Sequence, residues 1–311
     1  MSAIVQAYQN GTVKGWGGEQ LAKEAWNMLR GSSSFKDMKH LLVGRPVGEK
    51  RKMFLYQVVR KVLGKDTLNY PQEIGDCVSF GAKNASEYLE CCEIFMKGDL
   101  EKFRNVFPPY FYGTGRVFIG NGSLGNSDGS LGSWQAEAVI KYGVLASDET
   151  GVPKYAGSVA KKWGYNPGPP KEFVELAKIH PIKSAAKINS WDELVAAICN
   201  GYVCTVASDQ GFTMEPRSDG FHAGSGSWAH QMCIMGVDET YTEDYALILN
   251  SWGDVHGHLK DFQTNEDLPV GVIRARRKVI ENMIRAGECF AYSQFEGFPE
   301  QPIDKKLFKM I

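Results

Sequence analysis

No apolar run in this chain approaches the roughly 18–20 residues that a helix needs to cross a bilayer, so no membrane-spanning helix is expected from it. The first eighteen residues, MSAIVQAYQNGTVKGWGG, lack the basic start and apolar middle of an export signal. A cytoplasmic or virion-associated protein, released without the usual secretory route, is the expectation. An excess of either charge is also missing: 35 basic residues stand against 36 acidic ones. That balance offers no reason to expect nucleic acid or a membrane surface as a partner. A disulfide framework is missing too. The seven cysteines are odd in number, no pair has C-x-x-C spacing, and the six histidines complete no zinc pattern. No metal or cofactor is expected. His256-Gly257-His258 lacks a third ligand and reads as a water-facing pair, and Asn126-Ser127-Asp128-Gly129 reads as a polar turn rather than a Ca²⁺ loop. Gly115 and Gly120 form no phosphate-binding motif.

What is present is enough apolar material, 43% of 311 residues, for one large core or two modest ones. The first stretch, to about residue 66, reads as helical. Leu21, Ala25, Trp26 and Leu29 share a helical spacing, and residues 48–63 repeat it with Phe54, Leu55, Val58, Val59 and Val62. Turn formers follow in GKDTLNYPQEIGD, and a second apolar helix is expected from Cys77 to about Met96. Residues 107–133, dense in Gly, Ser, Asn and aromatics, read as a long loop closed by a helix over Trp134–Tyr142. Ser190-Trp191-Asp192-Glu193 has the form of a capping box and opens a helix ending at Asn200-Gly201. Beyond it, five short segments rich in β-branched or aromatic residues read as antiparallel strands: 202–207, 230–237, 245–249, 270–274 and 289–293. Helices first and strands second predict an α+β protein of two lobes with a cleft between them.

Three segments carry chemistry. Cys77 follows Gly75-Asp76 and opens an apolar helix, where free N–H groups and the helix dipole favour a thiolate. His230 begins an apolar strand after a Gly/Ser loop and could face a cleft, with His222 in a Gly-rich loop as the weaker alternative. The strand Tyr245–Leu249 ends in Asn250-Ser251-Trp252-Gly253, where Asn250 can orient an imidazole and Trp252 can shield that bond from water. Each has a plain structural reading as well: a core cysteine, a hydrogen-bonded histidine, a strand-ending turn.

In the order Cys, His, Asn, and with about 150 residues between the first two, the three segments together resemble the papain-like cysteine proteases. GDCVSF is similar to that family's GSCWAF segment, AHQMCIMGVD to its histidine strand and LILNSWG to its Asn-Ser-Trp-Gly signature. Gly132-Ser133-Trp134, leading into AEAVIKYGVL, resembles the loop and helix that line the family's main specificity pocket. The likeness spans about residues 70–295 and lies nearest the divergent bacterial and phage members. It implies a papain-like domain over 67–311, with a helical lobe over about 67–185 and a sheet-rich, barrel-like lobe over about 186–311. It implies Cys77 as nucleophile, His230 as base, Asn250 as orienting residue and Gln72 as oxyanion donor with the Cys77 N–H. Gly75, Gly132, Ser133 and Trp252 are implied to line the substrate cleft.

The sequence departs from the family in three places. Gln72 is one residue nearer the nucleophile than usual, with Pro71 in the expected position. Asp76 replaces a small uncharged residue, and its expected role is the N-cap of the Cys77 helix. His256 replaces the second tryptophan after Asn-Ser-Trp-Gly. Residues 1–66 do not resemble the family's inhibitory propeptide. They form a helical extension that is propeptide-like, integral to the fold, or a docking element for a larger assembly. The expected activity is hydrolysis of peptide bonds in a peptide or protein substrate. The alternatives are an amidase or transpeptidase on the same fold, and a non-catalytic, virion-associated papain-fold scaffold.

Overall fold

The computed structural model describes residues 2–29, 49–98 and 101–295. The chain begins with two helices, α1 (Ala3–Gln9) and α2 (Glu19–Leu29). A short strand β1 (Lys52–Phe54) then runs directly into α3 (Leu55–Leu63). The apolar spacing expected to make one helix from residue 48 is therefore split. Lys52, Met53 and Phe54 pair with Asp238, Val237 and Gly236 of the sheet, and the helix starts only at Leu55. Gly64 ends it in the left-handed conformation with its N–H on the Arg60 carbonyl, a turn that glycine adopts without strain.

The central element is α4 (Cys77–Cys92), all sixteen residues of which are buried. Its small residues let it lie close on the sheet: a Cβ at Gly81 would stand 3.0 Å from the Gln231 side chain. Burial also takes in Lys83 and Glu87, paired at 2.8 Å one turn apart. The Glu87 carboxylate also accepts the Val106 N–H, so neither charge is left bare.

The long loop expected over 107–133 is confined to 120–131, and the residues before it are helical. Pro108–Gly113 forms α5, with Pro109 beside Pro108 in its first turn, and Thr114–Ile119 continues as a wider π-helical turn. The reason is burial: Tyr110, Phe111 and Tyr112 are all fully inside, and a hydrogen-bonded helix satisfies the backbone that carries them. Next come α6 (Gly132–Lys141), α7 (Gly157–Gly164) and α8 (Lys171–Ala177).

The second half supplies β2 (Ile182–Lys187), α9 (Trp191–Cys199), β3 (Val203–Phe212), β4 (Gly224–Asp238), β5 (Tyr245–Leu249), β6 (Val272–Arg276), α10 (Arg277–Ala286) and β7 (Glu288–Phe295). The capping box at α9 forms, with Ser190 Oγ accepting the Glu193 N–H. The strands make one antiparallel sheet in the order β2-β7-β3-β4-β5-β6, and β1 joins β4 beyond the end of β3. In α10, Ile280, Met283 and Ile284 form the buried stripe that packs on this sheet. The architecture is thus α+β, with a helical region centred on α4 against an antiparallel sheet. No described helix is long and apolar enough to cross a membrane.

Candidate active site

The site lies where the first residue of α4 meets the buried half of β4. Cys77 is completely buried, and its Sγ accepts the Gln231 N–H at 3.2 Å. One residue earlier on β4, His230 Nε2 stands 2.7 Å from Asn250 Oδ1. The Ser251 N–H also donates to that oxygen at 2.7 Å, so the amide orientation is set by a backbone donor as well as by the ring. Asn250 Nδ2 in turn donates to His256 Nε2 at 2.6 Å. His256, expected to face water, is fully buried and serves as the acceptor that completes the amide's contacts. Trp252 covers the imidazole, with ring centroids 4.7 Å apart. His222 is structural: its Nε2 faces the His256 carbonyl and its Nδ1 accepts the Arg274 N–H.

Gln72 reaches the same point despite its shifted place in the sequence. Ser251 Oγ donates to its Oε1 at 2.5 Å, which turns Nε2 toward Ile74 O and the Tyr8 hydroxyl, the latter at 3.1 Å. Tyr8 was not anticipated from sequence. Its ring stands edge-on to His230 at 4.9 Å and lies against Trp252 at 5.2 Å. Its hydroxyl and the Cys77 sulfur lie side by side against Gly15. His230 Nδ1, the nitrogen free to meet the sulfur, has no hydrogen-bond partner among the described residues, so the expected sulfur–imidazole bond is not made in this state.

The segment after α1 continues across the site. Gly15 and Trp16 both donate their N–H groups to Ala229 O at 2.9 Å, Ser130 donates to Gly15 O at 3.0 Å, and Gly17 donates to Ser130 O at 2.9 Å. Only glycine fits at position 15, where a Cβ would collide with the Tyr8 hydroxyl and Cys77 Sγ. Gly75 faces the same strap, since a Cβ there would meet Lys14 O at 2.9 Å and Val13 Cγ1 at 3.2 Å. Gly132 and Ser133 donate their N–H groups to the Glu288 carboxylate at 2.8 and 2.9 Å. Neither Trp16 nor Glu288 carried a signal in the sequence beyond residue type.

The electrostatics are those of a closed site. Burial pushes the Cys77 thiol up to about 12, against the lowering effect of the Tyr8 and Gln231 hydrogen bonds, and Asp76 adds to the rise. Burial lowers His230 to about 4, against the Asn250 hydrogen bond. Both groups are neutral at physiological pH, so the thiol-lowering expected of a helix start is overridden by exclusion of water. Asp76 occupies the N-cap position but caps nothing with its side chain. Its carboxyl is buried, accepts a hydrogen bond from the Tyr155 hydroxyl at 3.1 Å, leaves Oδ1 without a partner and is raised well above the carboxylate range, chiefly by burial. The capping expectation is therefore corrected, because the Tyr155 hydroxyl and not the helix N–H groups holds the carboxylate. Among the described residues no group of three metal-ligating side chains converges.

Comparison of the whole structure with solved ones finds papain-like cysteine proteases. Xylellain, a cysteine protease from Xylella fastidiosa, is 17% identical over 84% of this chain and 91% of its own, with a TM-score of 0.54. Digestive procathepsin L 3 of the Tenebrio molitor larval midgut is 15% identical over 93% and 86%, at 0.52. Procathepsin B S9 from Trypanosoma congolense is 9% identical over 94% and 88%, at 0.55. No protein-family model and no curated protein sequence matches the chain. These likenesses show the fold, which is that of the papain-like cysteine proteases.

Proposed function

We propose that the chain is a cysteine peptidase held latent by its own N-terminal segment. The observation that carries this reading is convergence. The start of α4, the Asn250-oriented His230 and the Gln72 amide point at one spot, and that spot is filled by Tyr8 and Gly15. In the open state water returns and the penalties of burial on Cys77 and His230 fall away. His230 Nδ1 then takes the thiol proton while its Nε2–H stays on Asn250. The thiolate attacks the substrate carbonyl carbon, and the oxyanion is held by Gln72 Nε2 and the Cys77 N–H, donors of a kind worth a few kcal/mol in the transition state. The imidazolium protonates the leaving amine, and water, deprotonated by His230, resolves the thioester to acid and free thiol. The Tyr8 hydroxyl, accepting from Gln72 beside the sulfur, stands where that oxyanion would form. Two of the solved relatives are proenzymes by name, which agrees with a closed reading.

The second reading is a non-catalytic papain-fold scaffold, favoured by the complete burial of Cys77 next to a carboxyl. A peptide vinyl sulfone separates the two. Stoichiometric modification of Cys77 in full-length Tyr8→Ala, lost in Tyr8→Ala/His230→Ala, supports the peptidase. Modification that is unaffected by His230 supports the scaffold.

A further inference from the structure

A cavity of about 650 Å³ opens among the helices, and none of the residues lining it belongs to the site around Cys77. Its walls are Phe118 from the π-helical turn, Tyr142 just past α6, Trp163 on α7 and Val174 on α8. The loop 167–170, Pro-Gly-Pro-Pro, supplies the remaining side. Packing behind the walls fixes them before any ligand arrives. Trp163 stacks on Phe173 with ring centroids 5.4 Å apart and stands edge-on to Phe107 at 5.2 Å. The Phe118 and Tyr142 rings are 5.0 Å apart. Gly168 has a φ of +95°, and a Cβ there would stand 2.9 Å from Phe118 Cε1, so the loop is pressed onto that ring. A preformed apolar cavity of this size is the common form of a small-molecule site, and little ordering opposes its filling.

Its charged groups share one sign. Lys162 and Lys171 line it with exposed side chains, and neither has an ion-pair or hydrogen-bond partner among the described residues. No acidic side chain lines it, and Glu175, one turn along α8 from Lys171, is taken by Lys178 at 3.0 Å. In the wall, Trp163 is 3% exposed, and its indole N–H has no acceptor among the described residues. A nearly buried donor without an acceptor is costly, and a ligand oxygen relieves that cost. Two ammonium groups beside an apolar cavity attract an anion and repel a cation. We propose that this cavity binds a hydrophobic carboxylate, its body against Phe118, Tyr142 and Val174 and its charge served by Lys162, Lys171 and the Trp163 indole N–H. A neutral apolar molecule fills the same walls but leaves these donors unserved. The site is independent of the peptidase reading and stands or falls without it.

The test uses the full-length chain with isotope-labelled tryptophan, whose seven residues each give one indole N–H resonance. The resonance absent from Trp163→Phe is that of Trp163. The chain is titrated with octanoate and naphthylacetate, with the matching alcohols octanol and naphthylethanol, and with octylamine. Affinities are read in parallel by calorimetry, which needs no substitution at Trp163. At least one acid is expected to move the Trp163 resonance saturably and to bind about tenfold more tightly than its alcohol, the order expected of two exposed ion pairs. Lys162→Gln/Lys171→Gln, a change confined to exposed side chains, should abolish that preference. Binding of octanoate alone supports the site with a fatty acid as its source, and binding of naphthylacetate alone supports it with an aromatic acid. Equal affinity for acid and alcohol, tighter binding of octylamine, an acid preference that survives the lysine double variant, or a Trp163 resonance unmoved by either acid overturns the proposal.

Discussion

Truncating Tyr8 to alanine removes the side chain that closes the site. The ring is fully buried against His230 and Trp252, and the hydroxyl accepts from Gln72 beside the Cys77 sulfur. Loss of a buried aromatic side chain costs about 3–5 kcal/mol. If about 3 kcal/mol of that falls on docking of α1 and the strap, the undocked fraction rises on the order of a hundredfold. Cys77 is alkylated only when undocked, because in the closed state it is buried and its thiol is pushed up to about 12. Its iodoacetamide rate should rise by the same factor. Tyr8→Phe keeps the ring and loses the hydroxyl, a change of about 1 kcal/mol, so an increase of roughly fivefold is expected. Cys199, half-buried on α9 and remote from the strap, is the internal control and should label first in the wild type. Fast labelling of Cys77 in the wild type, or no acceleration in Tyr8→Ala with Cys199 unchanged, would refute the occlusion argument.

Four further outcomes follow from the same geometry. Gly15→Ala drives a Cβ into the Tyr8 hydroxyl and Cys77 Sγ, so it should free the strap and accelerate Cys77 alkylation without any loss at the nucleophile itself. Acid should loosen the segment. The closed state holds His230 at about 4, below its ordinary 6.5, so docking is at full strength above pH 6.5 and weakens as pH falls toward 4. Asp76, raised by burial, opposes that trend. Hydrogen exchange of the α1 amides, corrected for intrinsic rates, should show protection falling over that window, and constant protection would contradict it. Because the Asp76 carboxyl is raised in the folded chain, it costs stability as pH climbs from its ordinary 3.8 through the folded value. Asp76→Asn should therefore have a higher urea midpoint than wild type at neutral pH, and a lower one would restore the capping role. His256→Phe removes the acceptor of Asn250 Nδ2 and should lower kcat in the Tyr8→Ala background with little change in KM. His256→Gln, which offers an acceptor again, should restore part of it.

Local sequence determined a good deal here, for a physical reason. The short segments around Cys77, His230 and Asn250 each join an apolar element to a polar end, so their residue types record both the element and the place where it stops. The strands Tyr245–Leu249 and the buried half of β4 could be read from β-branched runs, and α2 from its helical spacing, because those patterns depend on neighbours in the chain. The tertiary structure decided whatever depended on distant partners. Asp76 is of a type that caps helices, yet Tyr155, 79 residues on, took its carboxylate. His256 stands in a polar loop whose composition suggested water, yet packing buried it against Asn250. The aromatics of 107–119 looked like loop residues because their alternation with glycine hides a helical face that exists only once Tyr110, Phe111 and Tyr112 are inside. The contact that closes the site, Tyr8 on Gln72, spans 64 residues, and Trp16 meets Glu288 across 272. No local pattern records such pairs, because neither partner's secondary structure depends on the other. Only the folded chain brings the N-terminal segment onto Cys77, because its contacts there are made with residues far along the sequence.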